Sequence, residues 1–140
     1  MITGVATVNL LVLNQEDAKR FYLDTLGFEE RNDATLDGFR WLTVGPRGQK
    51  DIDFLLVEPA PPMFSPEDAA ALRSMLEKGS MPGGVLRTDD CQRDFEALKA
   101  KGVTFLQEPA DRPYGIEPLF RDNSGNWFSL TQLKRFEGWA

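Results

Sequence analysis

Hydrophobic and polar positions divide the chain into segments of two periods. Val5–Leu13 (VATVNLLVL) is a run of β-branched and apolar residues, the pattern of a strand buried over most of its surface. In the next stretch, NQEDAKRFYLDTLGF, residues Ala18, Phe21, Tyr22 and Thr25 recur at spacings of three and four. Asn14 is placed to cap it, acids fill the first turn, and Gly27 follows the last periodic position, so the segment predicts one short amphipathic helix. Three strand-like runs follow, Phe28–Asn32, Phe39–Val44 and Ile52–Glu58, separated by the turn-forming stretches NDATLDG and GPRGQKD. Pro59, Pro61 and Pro62 then interrupt the pattern. Ser65-Pro66-Glu67-Asp68 opens a second helix with Ala69, Leu72, Met75 and Leu76 as its apolar face.

From Gly83 the same order returns. GGVLRT reads as a strand and DDCQRDFEALKAKG as a helix with Cys91, Phe95 and Leu98 on one face. VTFLQEP, YGIEPLFRD and NWFSLTQL read as three more strands. The helix-ending glycines Gly27 and Gly102 lie 75 residues apart, the helix starts Asn14 and Asp90 lie 76 apart, and Leu23 matches Leu98. This is an internal duplication of a βαβββ module, spanning residues 1–58 and 83–140 with a helical linker over 59–82. A single module leaves one sheet face open. Two of them are expected to make one α+β domain whose curved mixed sheet encloses a cleft.

Composition narrows the chemistry. The chain has 140 residues, 41% hydrophobic and 27% charged, as in ordinary soluble domains. Disordered, collagen-like and membrane-spanning classes drop out, and no apolar run reaches the roughly 18 residues of a spanning helix. Sixteen basic against twenty-two acidic side chains give a net charge of −6, which repels phosphate backbones and anionic lipid and argues against nucleic-acid or membrane partners. A cationic or neutral organic ligand fits better. Cys91 is the only cysteine and no basic leader precedes the first strand, so a cytoplasmic location is expected. There is no histidine at all, which removes the commonest metal ligand and the commonest general base together.

The order of motifs resembles the vicinal oxygen chelate superfamily, the glyoxalase/bleomycin-resistance/dioxygenase group. Phe21-Tyr22 and Leu26-Gly27-Phe28 carry the likeness in the first module. In the second it rests on Lys101-Gly102-Val103-Thr104-Phe105, Glu108-Pro109, Tyr114-Gly115 and Phe120–Trp127 (FRDNSGNW). The resemblance implies paired βαβββ modules and a homodimer. It leaves the activity open, because the group contains isomerases, epimerases, dioxygenases, thiol transferases and plain drug binders. Its enzymes build a metal site from the first and last strands of each module, and those positions fall here on Thr7, Asp53, Gly83 and Ser129. One carboxylate, one glycine and two hydroxyls are a poor set for zinc, nickel, iron, magnesium or calcium, so no metal and no cofactor are expected.

Strand alternation assigns the cleft face. With Thr7 inward, Val5, Asn9 and Leu11 are inward too, and Ala6, Val8 and Leu10 pack on the helix. Asp53, Leu55 and Val57 share the face, as do Trp127, Ser129 and Thr131, and Phe39, Trp41 and Thr43. Among Phe39, Trp41, Phe54, Phe105, Tyr114, Phe120 and Trp127 some are expected to wall a planar ligand and the others to be core, with Trp41 the first choice for a wall. Asp53 reads either as a general base or ligand counter-ion, or as a solvated strand-edge acid. Glu117 reads either as a cleft carboxylate or as the solvent-facing alternate of its strand. Arg112 and Arg121 could take an anion, or could be solvated and brace a turn respectively. No serine has a histidine to activate it, Cys91 reads as packing, and DNSGN reads as a turn rather than a calcium loop.

The expected ligand site is therefore Thr7, Asn9, Phe39, Trp41, Asp53, Leu55, Tyr114, Glu117, Trp127 and Ser129. The expected function is metal-independent binding of a small organic molecule, cationic or planar aromatic, as in antibiotic resistance by sequestration. The competing reading is a lyase, isomerase or epimerase using carboxylate acid/base chemistry at Asp53 or Glu117.

Overall fold

The computed structural model describes residues 1–134. Strand β1 (Thr7–Leu11) is followed by helix α1 (Gln15–Arg20), capped by the Asn14 side chain on the Asp17 amide at 2.9 Å. The amphipathic helix expected over this stretch forms but changes pitch partway: α1 ends at Arg20 and a π-helical turn continues it over Phe21–Thr25. The change of pitch directs Tyr22 into the core, where it is fully buried. Strands β2 (Glu29–Leu36), β3 (Phe39–Gly45) and β4 (Asp53–Val57) complete the module.

β2 is longer than its hydrophobic pattern suggests. Most of NDATLDG is strand, and the turn is only Asp37-Gly38, with φ of 52° and 80°. This is the geometry of a two-residue hairpin, for which Asp-Gly is well suited. Helix α2 (Pro66–Glu77) connects the modules, burying Ala69 and Leu76 and leaving Met75, expected inside, exposed. The second module runs β5 (Met81–Arg87), α3 (Cys91–Ala100), β6 (Phe105–Arg112), β7 (Gly115–Arg121) and β8 (Asn126–Leu133). β6 extends five residues past Gln107 because register shifts on either side of Gln107 accommodate Pro109 within the strand.

The eight strands form two four-stranded mixed sheets, ordered β1-β4-β3-β2 and β5-β8-β7-β6. In each, the first strand runs parallel to the last, with Thr7 opposite Asp53 and Val85 opposite Ser129. The helix-bearing faces of both sheets meet in one core. It contains Leu10, Val12, Leu42, Val44 and Leu56 from the first sheet and Phe120, Phe128 and Leu130 from the second. Tyr22 packs edge-on against Phe128 at 6.5 Å, and Lys101 at the end of α3 donates to the carbonyls of Asp24 and Thr25. The helix-free faces therefore lie on opposite sides of the core. Val8, expected against a helix, is 38% exposed on edge strand β1.

Candidate functional site

On the first helix-free face, Trp41 stands 41% exposed beside Phe39, their rings 6.0 Å apart and tilted by 56°. Asn9 is exposed and Thr7 half-buried on β1, whereas Leu55 is closed from solvent at the sheet centre. Asn32 reaches across to donate to the Thr43 hydroxyl at 3.1 Å. Asp53 is not a free carboxylate, because Arg31 Nη1 donates to it at 2.9 Å. Arg31 occupies the register shift between Glu30 and Asn32 on β2. Its Nη2 also donates to the carbonyls of Pro46 and Gln49 at 2.6 Å each. Gly45 provides the room: a Cβ there would lie 2.8 Å from Arg31 Cζ. A half-buried arginine shared between Asp53 and a loop positions that loop and holds the Asp53 carboxylate in an ion pair. Hydrophobic patterning gives no sign of this, since a bulge breaks the alternation on which face assignment depends.

The second helix-free face is organised by Glu117, whose side chain is only 12% exposed. The hydroxyls of Ser129 and Tyr114 both donate to it, and Thr131 lies 3.5 Å from the same oxygen that Ser129 reaches. Ser129 and Thr131 are themselves 2.6 Å apart, and Arg112 Nε approaches at 3.7 Å. Burial pushes the Glu117 carboxyl up, but the Ser129 and Tyr114 hydrogen bonds outweigh it with help from Arg112, and the group titrates below the ordinary glutamate value. The bond to Glu117 raises Tyr114 correspondingly. An ionised carboxylate ringed by hydroxyls is a weak base but a good acceptor for a ligand cation or donor. Trp127, 37% exposed, lies on the same face.

Several expected wall residues lie elsewhere. Phe54, Phe105 and Phe120 belong to the helix side: Phe120 stacks on Phe128 at 5.5 Å, and Phe54 lies 6.4 Å from Phe28. Gly83 does not occupy the position opposite Ser129, which belongs to Val85. Gly83 falls in a register shift, where its own Cβ would meet the Phe128 ring at 2.5 Å. Cys91 is buried, and burial raises its thiol, so it is packing.

The four strand positions are thus Thr7, an Asp53 already paired with Arg31, Val85, and a Ser129 hydrogen-bonded to Glu117. They do not fit a divalent metal: one offers no donor atom, and the only carboxylate is neutralised by a guanidinium. A cavity of about 990 Å³ opens on the other side of the sheets, between α3 and the start of β4, lined by Phe54, Leu86 and Leu98 with Arg93 and Asp94 at its rim. None of the ten expected ligand residues lines it. No helix among the described residues is long and apolar enough to cross a membrane.

Comparison with known proteins agrees with this architecture. The solved structure of UcmS2 superposes with a TM-score of 0.89 at 44% identity, covering 94% of this chain and 98% of that one. The structure of TnmS3, described as an antibiotic binding protein from Streptomyces sp. CB03234, superposes at 0.76 with 34% identity, covering 95% and 98%. The Bacillus subtilis (strain 168) protein YurT is 29% identical over 128 residues, covering 91% of this chain and 98% of its own length. The family model for the Glyoxalase/Bleomycin resistance protein/Dioxygenase superfamily matches residues 4–130, and the chain belongs to that superfamily.

Proposed function

We propose that the protein is a metal-independent binder of a small planar organic molecule, a drug or metabolite that it sequesters in the cytoplasm. The observation that carries this reading is the pairing of half-exposed indoles with a fixed polar group on the helix-free faces. Trp41 stands on one face, and Trp127 shares the other with Glu117. Indoles left open to solvent supply stacking area, and the carboxylate supplies an acceptor for a cationic or hydrogen-bonding group of the ligand. The antibiotic-binding description of TnmS3 supports the same class of ligand. Because the helix-free faces lie on opposite sides of the core, each has one wall only, and a second copy of the chain supplies the other, making the functional unit a homodimer.

The enzymatic alternative has less support, because Asp53 is paired with Arg31 and the Glu117 carboxyl is held below its ordinary value. Titration of the protein with planar aromatic compounds, cationic and neutral, tests the reading through tryptophan fluorescence. Saturable quenching that weakens in Trp41→Ala is the expected result. Absence of quenching across the panel, or turnover of a bound compound abolished by Glu117→Gln, would overturn it.

A further inference from the structure

We propose that Arg121 and Trp127 form an anion-binding subsite, so that the ligand of the second helix-free face is a planar aromatic acid; this rests on the planar-ligand reading above. Phe120 and Asp122 both turn inward, one stacked on Phe128 and the other bonded to Tyr22. Arg121 between them therefore shares the outer face with Trp127, its partner across the β7–β8 ladder.

Of the arginines described, Arg121 alone is half-buried without a hydrogen bond or ion pair to its guanidinium. Arg31, Arg40 and Arg112 meet carboxylates, Arg73 meets a backbone carbonyl, and Arg87 is exposed. Its Nε is closed from solvent with no partner among the described residues, although the chain has six more acids than bases. The group is also fixed in place. Gly79 makes room for it, since a Cβ there would stand 2.5 Å from both Cζ and Nε.

A fixed guanidinium with no partner among the described residues, on a residue paired across the ladder with the one that carries an exposed indole, offers its Nη donors to a carboxylate in the plane of a ring stacked on that indole. Glu117 lies four residues along the same strand, about 13 Å away at ~3.3 Å per residue. It repels a second acidic group and so orients the acid toward Arg121. A ligand spanning both would be an aromatic acid with a cationic or hydrogen-bond-donating far end.

Calorimetric titration of the full chain with 2-naphthoate and its uncharged analogue 2-naphthamide tests the subsite. The acid is expected to bind about tenfold more tightly than the amide, the scale of one charge-assisted contact. Arg121→Gln is expected to erase that difference and Arg121→Lys to retain part of it. Thermal melting of each variant establishes that it is folded. Should Arg121→Gln fail to fold, the acid-to-amide ratio of the unaltered protein and of Arg121→Lys still decides. Equal binding of acid and amide by the unaltered protein, or an unchanged preference in folded Arg121→Gln, would overturn the subsite and leave the planar-ligand reading standing. Binding of neither naphthalene would overturn the subsite, and the fluorescence panel of cationic and neutral compounds decides the planar-ligand reading separately.

Discussion

Tyr22 donates its hydroxyl to Asp122 Oδ2 at 2.6 Å, joining two residues one hundred positions apart, one from each module. The other oxygen of Asp122 accepts the backbone N–H groups of Ser124, Gly125 and Asn126, each at 2.9 Å, and Asn126 Nδ2 reaches on to the Leu11 carbonyl. One carboxylate therefore shapes the β7–β8 turn and binds that turn to the first module. Burial and the neighbouring Asp122 charge raise Tyr22 well above its ordinary value, so it stays a donor at every physiological pH.

Tyr22→Phe keeps the ring packing and deletes only this bond, leaving a buried carboxylate short of one donor. It is expected to cost about 1–3 kcal/mol in chemical denaturation, with the helix-free faces and ligand affinity unchanged.

Gly125 sits at φ 105°, and a Cβ there would lie 1.8 Å from the Leu76 carbonyl oxygen, a backbone atom that cannot swing aside. Gly125→Ala is therefore expected to destabilise by at least about 2 kcal/mol. At Gly45 the obstacle is the movable Arg31 side chain, so Gly45→Ala should cost less and act through Arg31. A double-mutant cycle with Arg31→Ala should be clearly non-additive.

Glu117 gives a pH signature. Its folded-state value lies below the ordinary one, so its contribution to stability is fully present above the unfolded value and lost as pH falls through the depressed folded value. Denaturation of the native protein and Glu117→Gln at a series of pH values should show an advantage for the native protein at pH 7 that shrinks below about pH 4. A constant difference across that range would mean that Ser129 and Tyr114 do not stabilise the charged form.

A homodimer completed by a second copy predicts a sedimenting mass of twice the 15.8 kDa chain. Ligand binding should tighten the association, since the ligand bridges both walls. A monomer at concentrations where ligand binds would remove the two-walled cleft.

The repeated βαβββ order was legible because Gly27, Gly102 and the capping Asn14 and Asp90 punctuate both modules at matching intervals. Alternation also placed Trp41, Asp53, Trp127 and Ser129 together on their helix-free faces. What patterning missed were breaks in period. The π-helical turn at Phe21–Thr25, the bulge at Arg31 and the register shift at Gly83 each move side chains by one position. Such slips depend on long-range partners, here Phe128, Asp53 and Asp122. The Arg31–Asp53 pair was hidden for the same reason.

The location of the site is tested most directly by following backbone amide NMR shifts while the protein is titrated with 2-naphthoate. Shifts concentrated at Asn9, Trp41, Trp127 and Ser129, saturating together, are the predicted result. Shifts confined to Phe54, Leu86 and Leu98 would place the ligand in the cavity beside α3 and contradict the helix-free-face site.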